Sequence, residues 1–427
     1  MSGMSFFSDD RDLCRGFEWA KREALLHVAG EGAAGPCYEA ALPGRAAYCM
    51  RDTAHQALGA QLLGLADSNY YMLNQFAKGV DERRDFCSYW EICYDGTPCP
   101  VDYDDDSSFW YNLPANFDVL DACLRMYRWT GDTRYLNDPD MDAFYRITTH
   151  DYVRRWDRDR DGIVDRLESD GRRGLATYDE SPRNPGYRIA ADLLALQYAA
   201  FRARGDILCL RGEPEAAQLM TQRAQELQRF FHEKWWNADA GHYESIAYPD
   251  GTTGGEFIGS DAHMPLYTGM IQDPQRKLAQ AKYLYSMENT MNVELRSYMS
   301  EVLWDVQMDE AALAIWRRST APGYARREYP EVSFAAIGSL VSGYMGLRPD
   351  AATRTLSTRS ALLGGGWAEA VAVPLWGGEV SLLHKGRHAS VLENRTGGPI
   401  LWTATFEAGA PQTAQVPAGE AVALGAD

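Results

Sequence analysis

From Ala176 to Arg188 the chain reads Ala-Thr-Tyr-Asp-Glu-Ser-Pro-Arg-Asn-Pro-Gly-Tyr-Arg, placing two adjacent carboxylates, Asp179 and Glu180, where Pro and Gly forbid helix interior. Tyr178, Arg183, Tyr187 and Arg188 surround them with rings and donors, and an apolar helical pattern (Ile189, Leu193, Leu194, Leu196) follows at once. A carboxylic acid on so firm a mount, beside aromatics that can dry its surroundings, has what general-acid catalysis needs. Two solvated acids in a turn is the plainer alternative; the flanking rings and arginines weigh against it.

A second charged, Pro-broken loop, Arg326-Arg327-Glu328-Tyr329-Pro330-Glu331, also precedes an apolar helix. Two basic neighbours would keep Glu328 ionised, as a general base requires, while Glu331 is the better placed of the two to cap the helix. Arg51-Asp52 opens another helix; Asp52 fits an N-cap, and the pair equally fits a carboxylate and guanidinium gripping hydroxyls. His55 one turn on reads as a core histidine. Asp102 to Tyr111 interleaves acids with Tyr103, Phe109, Trp110 and Tyr111, so a stacking platform at Trp110 and Tyr111 competes with a solvated acidic run. His263, behind the cap candidates Ser260 and Asp261, and Glu294, on the polar face from Asn292 to Glu301, complete the binding candidates.

Asp157-Arg-Asp159-Arg-Asp161-Gly-Ile-Val-Asp-Arg-Leu-Glu168 matches the calcium-loop spacing D-x-D-x-D-G-x5-E, making Asp157, Asp159, Asp161 and Glu168 candidate calcium ligands. Arg158, Arg160 and Arg166 weaken the field such an ion needs, and no helix follows. A Gly-turned hairpin framing the Asp179 loop is the alternative.

These loops need a scaffold. Helical periodicity covers roughly 12–29, 51–65, 69–80, 115–131, 139–156, 187–204, 212–236, 260–271, 274–289, 296–307, 309–320 and 333–346. Gly131-Asp132, Gly205-Asp206, Gly212-Glu213 and Asp250-Gly251 read as turns, and long inserts fall at about 81–114, 157–186 and 237–259. After Leu347-Arg348-Pro349-Asp350 the pattern becomes strand-like at 370–376, 378–384, 389–394 and 400–406. An all-α (α/α)6 toroid over 1–348 with a small C-terminal antiparallel β-domain over 349–427 is expected, the tail packing on the barrel through Leu375, Trp376, Leu382 and Trp402.

Composition narrows the function classes. The 60 acidic and 42 basic residues give net −18, which repels nucleic acid and anionic membrane, and no apolar run is long enough for a bilayer. The start lacks a basic segment followed by an apolar one, and the eight cysteines show no zinc spacing, so a cytoplasmic, reducing setting is expected. A disulfide among Cys87, Cys93 and Cys99 is the competing arrangement. The 12 Trp and 24 Tyr suit stacking on sugar faces as well as core burial.

In order, Arg51-Asp52-Thr53, the Asp-Gly turn near 161, Tyr178-Asp179-Glu180-Ser181-Pro182-Arg183, Glu328-Tyr329 and the β-tail resemble a six-hairpin (α/α)6-barrel glycosidase. The central stretch is similar to the acid loop of the trehalase and glycoside hydrolase family 63 group, though that group's Glu-Ser-Gly-Trp run is replaced by Gly174-Leu-Ala-Thr-Tyr. The resemblance implies an inverting exo-glycosidase on a small or terminal neutral glycoside, with Asp179 as acid, Glu328 as base and Arg183 binding substrate. Arg51, Asp52, Arg188, Trp110, Tyr111, Tyr178, Glu180, His263, Glu294 and Glu331 would line the substrate site. No redox cofactor is implied, and calcium is the candidate ion. A sugar isomerase, epimerase or lyase on the same toroid, using His55, His263 and Tyr298 for proton transfer, is the second expectation. A carbohydrate-binding protein without catalysis is the third, and the oligomeric state is open.

Overall fold

The computed structural model describes residues 3–179, 186–255 and 259–425. Among them are twelve helices of eight residues or more: α1 (Arg11–Leu26), α2 (Met50–Leu62), α3 (Ala66–Lys78), α4 (Ala115–Thr130), α5 (Pro139–Ile147), α6 (Ala191–Leu210), α7 (Pro214–Lys234), α8 (Ser260–Tyr267), α9 (Pro274–Ser286), α10 (Val293–Asp305), α11 (Asp309–Thr320) and α12 (Pro330–Ser339). A wider turn over Thr148–Tyr152 prolongs α5 to Trp156.

The even-numbered helices form a closed inner ring, each packing on the next: α2 on α4, then α6, α8, α10, α12 and back to α2. The odd-numbered helices lie outside; α1, for example, packs on α11 and α12, and α7 on α6. This is the arrangement of an (α/α)6 toroid, and the sequence carries its physical cause. Inner α12 is buried over its whole length, whereas outer α7 buries only Ala217, Ala224, Leu227 and Phe231. A helix apolar all round must be enclosed; one with a single apolar stripe can face water.

Small residues set the spacing of the ring. At Gly59 in α2 an added Cβ would lie 2.2 Å from the Phe334 carbonyl oxygen of α12, so the backbones of the two helices touch. Gly205-Asp206, expected as a turn, lies inside α6; Gly205 is buried where α7 crosses, 3.1 Å from Thr221 Oγ1 at its Cβ position. Tertiary packing there overrides the weak helix propensity of glycine.

Nine further strands concern the tail: β1 (Ser5–Ser8), β2 (Arg348–Asp350), β3 (Thr355–Arg359), β4 (Trp367–Leu375), β5 (Gly378–Lys385), β6 (Ala389–Asn394), β7 (Ile400–Thr405), β8 (Gln412–Val416) and β9 (Ala421–Gly425). One sheet has the order β1-β4-β5-β6-β9, the other β2-β3-β7-β8. The sheets depart from the expected antiparallel tail twice. β3 and β7 run parallel, and β1, from the far end of the chain, supplies an edge strand by pairing with β4. Leu375, Trp376, Leu382 and Trp402 are all buried. Trp376 is the docking residue, its indole donating to the Arg128 carbonyl of α4 at 2.8 Å, whereas Trp402 bonds Thr358 Oγ1 inside the tail. Asp309 of α11 ties the tail down through Arg359 and Arg387.

All eight cysteines are free thiols, and Cys93 and Cys99 hydrogen-bond as thiols where a disulfide was considered. Among the described residues no helix is long and apolar enough to cross a membrane.

Candidate active site

Loops at one end of the toroid enclose a cavity of about 560 Å³. Arg51 and Asp52 enter it from the first turn of α2, whose N-cap is Cys49 and not Asp52. Asp52 is only 1 % exposed and accepts from Arg51 Nε at 3.1 Å, an orientation suited to presenting both groups to ligand hydroxyls. A short antiparallel pairing of Ala47–Cys49 with Glu91–Cys93 brings Trp90 alongside, and the Arg51 guanidinium lies between the faces of Trp90 and Tyr178.

The Asp179 loop is mounted from below. Asp192, buried in the first turn of α6, accepts from the Tyr178 N–H (2.7 Å) and Thr177 hydroxyl (3.0 Å), while Asn112 Nδ2 donates to the Thr177 carbonyl. Tyr178 donates to Asp118 Oδ2 at 3.0 Å. A three-stranded sheet of Ile189–Ala190, Ile246–Ala247 and Thr253–Gly254 holds the far end of this loop. Asp179 itself lines the cavity and is half-buried.

Glu294 reaches the cavity from the first turn of α10, whose N-cap Asn292 accepts from Leu295 N–H at 2.9 Å. Arg326 Nη2 donates to Glu294 Oε1 at 3.3 Å, and Oε2 has no hydrogen-bond partner among the described residues. Tyr329, ahead of α12, and half-buried Trp110 complete the walls. Asp179, Arg51, Asp52, Trp110, Tyr178 and Glu294 thus line one cavity.

Other expected residues lie elsewhere. Glu328 is exposed and does not line the cavity. The arginines thought to attend it are engaged by others: Arg326 by Glu294, and Arg327 by the Thr320 carbonyl and the Trp19 ring. Tyr111 is fully buried and donates to Asn116 Oδ1, because it follows Trp110 on an extended segment and so faces inward. Arg188 turns away to Asp159 (2.6 Å) and Asp165. Glu180 and Arg183 lie outside the described residues.

Glu331 and His263 sit beneath the cavity, inside the ring. Glu331 is wholly buried and accepts from Tyr298 OH at 3.0 Å; burial, reinforced by Asp52 and opposed by Arg51, pushes its carboxyl well above the ordinary range. His263 lies against Tyr298 and Tyr267, and burial pulls its imidazole down to about 3, keeping it neutral. His55 lies 3.1 Å from Asp118 and packs edge-on to Tyr298.

Oxygens of Asp157, Asp159 and Asp161 come within 4.8 Å of one another, as a calcium loop would require. Glu168 does not join them, and Arg188 lies at Asp159 and Asp161 instead. Asp157 also accepts from the Asp161 and Gly162 N–H groups, closing the turn without help from an ion. An internal guanidinium thus stands at the carboxylates where a cation would bind.

Trp90, Glu91 and Arg45 belong to the lining although no motif marked them, while Asp102 and Tyr329 stood in the Asp102–Tyr111 run and the Glu328-Tyr329 pair without being named as lining. For the first three the sequence signal was their place in the long insert at 81–114 or near Arg51.

No protein-family profile matches the chain, and no curated protein matches it in sequence. Solved structures do match. A family 78 rhamnosidase of Bacillus sp. GL1 aligns over 93 % of this chain and 41 % of its own, with 16 % identity and TM-score 0.61. An alpha-L-rhamnosidase from Dictyoglumus thermophilum covers 99 % of this chain and 50 % of its own, with 13 % identity and TM-score 0.65. A protein described as a wild-type glycosidase covers 78 % and 98 %, with 15 % identity and TM-score 0.55. The chain therefore spans half or less of the two rhamnosidases, and shares with all three the glycosidase-type toroid fold.

Proposed function

We propose that the chain is an inverting glycosidase that removes a terminal neutral sugar, with Asp179 as general acid and Glu294 as general base. The observation that carries this is the convergence of Asp179 and Glu294 on one cavity with the Arg51–Asp52 pair and the Trp90 and Trp110 rings. Aromatic faces bind the apolar side of a sugar ring, and the carboxylate–guanidinium pair addresses its hydroxyls. Asp52 and Tyr178, both buried, line the inner part of the cavity, which suits the end of a chain better than its middle.

In the reaction Asp179 gives its proton to the glycosidic oxygen as the bond to the anomeric carbon breaks. Glu294 takes a proton from the water that attacks the opposite face, and inversion follows. Such a pair of carboxyls stands roughly 6.5–9.5 Å apart. Glu294 replaces Glu328 in this scheme because its free Oε2 belongs to a cavity-lining side chain and Glu328 points to solvent. The likeness to rhamnosidases and a glycosidase supports the substrate class. Kinship with the trehalase and family 63 group rests on the sequence motifs alone. The isomerase or lyase reading is less favoured, since His55, His263 and Tyr298 do not line the cavity.

The test is a panel of nitrophenyl glycosides and oligosaccharides followed by NMR. Hydrolysis with an inverted anomer is expected; Glu294→Gln should lower kcat by about 10²–10⁴-fold on every substrate, and Asp179→Asn by as much on oligosaccharides but least on nitrophenyl glycosides, whose leaving group needs little protonation. Glu328→Gln should retain activity within about threefold, since an exposed carboxylate off the cavity takes no part in proton transfer. A retained anomer refutes inversion, and equal losses for Glu328→Gln and Glu294→Gln refute the base. Absence of cleavage across the panel, with sugar binding intact, would favour a binding protein.

A further inference from the structure

One wall of the cavity carries a second pair of carboxyls that the proposed chemistry does not use. Glu91 is 2 % exposed and Asp102 half-buried, and both line the cavity beside Trp90 and Trp110. Their carboxyls meet side chain to side chain. Glu91 Oε1 and Asp102 Oδ2 are both buried and neither has a donor among the described residues, whereas Glu91 Oε2 accepts from Arg45 Nη1 at 2.8 Å. Two acceptor oxygens cannot face each other without a hydrogen between them. The backbone holds the two residues side by side: Cys99 N–H donates to the Glu91 carbonyl, Asp102 N–H to the Cys99 carbonyl and Trp110 N–H to the Asp102 carbonyl.

We propose that Glu91 and Asp102 share one proton and, with that proton in place, form a subsite that recognises a hydroxyl of a neutral sugar in the cavity. This deepens the glycosidase reading and rests on it for the identity of the ligand, though the shared proton stands independently. The shared hydrogen lies between the two carboxyls and fixes them in the wall, leaving the remaining Asp102 oxygen to accept from a sugar hydroxyl. Without the proton, two negative charges would face each other and drive that acceptor out of place.

The surrounding groups favour the protonated pair. Burial, followed by the Asp102 carboxyl, pushes Glu91 up to about 8 against the pull of Arg45. The other titratable groups facing it are the thiols of Cys49, Cys93 and Cys99, all raised by burial and neutral around pH 7. Arg45 is the cation bonded to Glu91, and it is set against two acids.

The experiment is a carboxyl-carbon NMR titration of the full chain, with Glu91→Gln and Asp102→Asn used to assign the signals. One carboxyl of the pair should hold its proton beyond pH 7, and Asp102→Asn should bring Glu91 down by removing the like charge. In parallel, binding of glucose, mannose, galactose and rhamnose is followed by tryptophan fluorescence. Wild-type affinity for the sugar that binds should fall about tenfold between about pH 6 and pH 9, while Glu91→Gln, whose amide always offers a donor, should stay flat. Titration of both carboxyls below about pH 5 overturns the shared proton and leaves the glycosidase reading untouched. Affinity that is flat or rises with pH in wild type, or failure of all four sugars to bind, overturns the subsite. A rise specific to glucosamine would mean that the pair takes an ammonium group instead.

Discussion

Replacement of Asp192 by Asn should change how stability depends on pH more than stability itself. Asp192 is wholly buried in the first turn of α6 and accepts three hydrogen bonds, from Tyr178 N–H, Thr177 Oγ1 and Leu193 N–H. Burial nevertheless raises its acid from 3.8 to about 7, with Asp179 adding to the rise and the three bonds opposing it. A native state that holds the proton more tightly than the unfolded chain is most stable in acid. Its advantage is lost as pH rises from the unfolded value through about 7. For this one group the loss between about pH 5 and pH 8 is about 2–3 kcal/mol. Asp261 and Glu331 are raised by burial too and act in the same direction, so the informative quantity is the difference between wild type and variant. Urea unfolding at the two pH values should show Asp192→Asn losing about 2–3 kcal/mol less than wild type, at a fixed cost of about 1 kcal/mol for one imperfect hydrogen bond. Asp192→Ala should instead cost about 1–3 kcal/mol for each donor left buried and unpaired. It should also lower turnover, because Thr177 and Tyr178 carry Asp179. A difference between wild type and Asp192→Asn that does not vary with pH would refute the argument.

Two further predictions concern the scaffold. Gly59→Ala must push α2 from α12, since the new methyl would sit 2.2 Å from the Phe334 oxygen; a loss of about 1–3 kcal/mol or more is expected, and an unchanged Tm would show that the inner ring yields easily. Arg188→Ala strips the cation from Asp159, Asp161 and buried Asp165, and should cost about 3–5 kcal/mol. Chelator should leave the wild-type Tm unmoved and calcium should raise that of Arg188→Ala; a wild-type Tm lowered by chelator would show an ion at the aspartates.

Much of the fold was legible before any coordinates. Helical periodicity marks each of the twelve helices, though α6 runs on to Leu210 past its expected end at 204, because inner and outer helices must both repeat apolar residues at the helical period to be buried at all. The mount of Asp179 is legible for the same kind of local reason: Pro, Gly and aromatic residues before an apolar helix leave few conformations open. Arg51-Asp52 could be read as a pair since neighbours in a first helical turn stay neighbours in space.

What lay beyond the sequence depends on contacts between distant segments. Trp110 and Tyr111 are adjacent and chemically alike, yet only the pairing of their segment with residues 172–175 turns one to the cavity and the other to the core. Arg326 stands beside Glu328 in the chain but pairs with Glu294, 32 residues away, which moves the candidate base from one carboxylate to another. Arg188 borders the acid loop and still serves the aspartates at 159–165. Glu91 and Asp102 lie in one insert and meet because Cys99 N–H bonds the Glu91 carbonyl while Asp102 N–H bonds the Cys99 carbonyl, a turn that no residue pattern announces. The strand Ser5–Ser8 has no local signal for its partner near residue 370, since an edge strand is defined by the sheet that receives it. Local order follows from residue type and period; which charge meets which is decided when the ring closes, because only then does burial make each pairing obligatory.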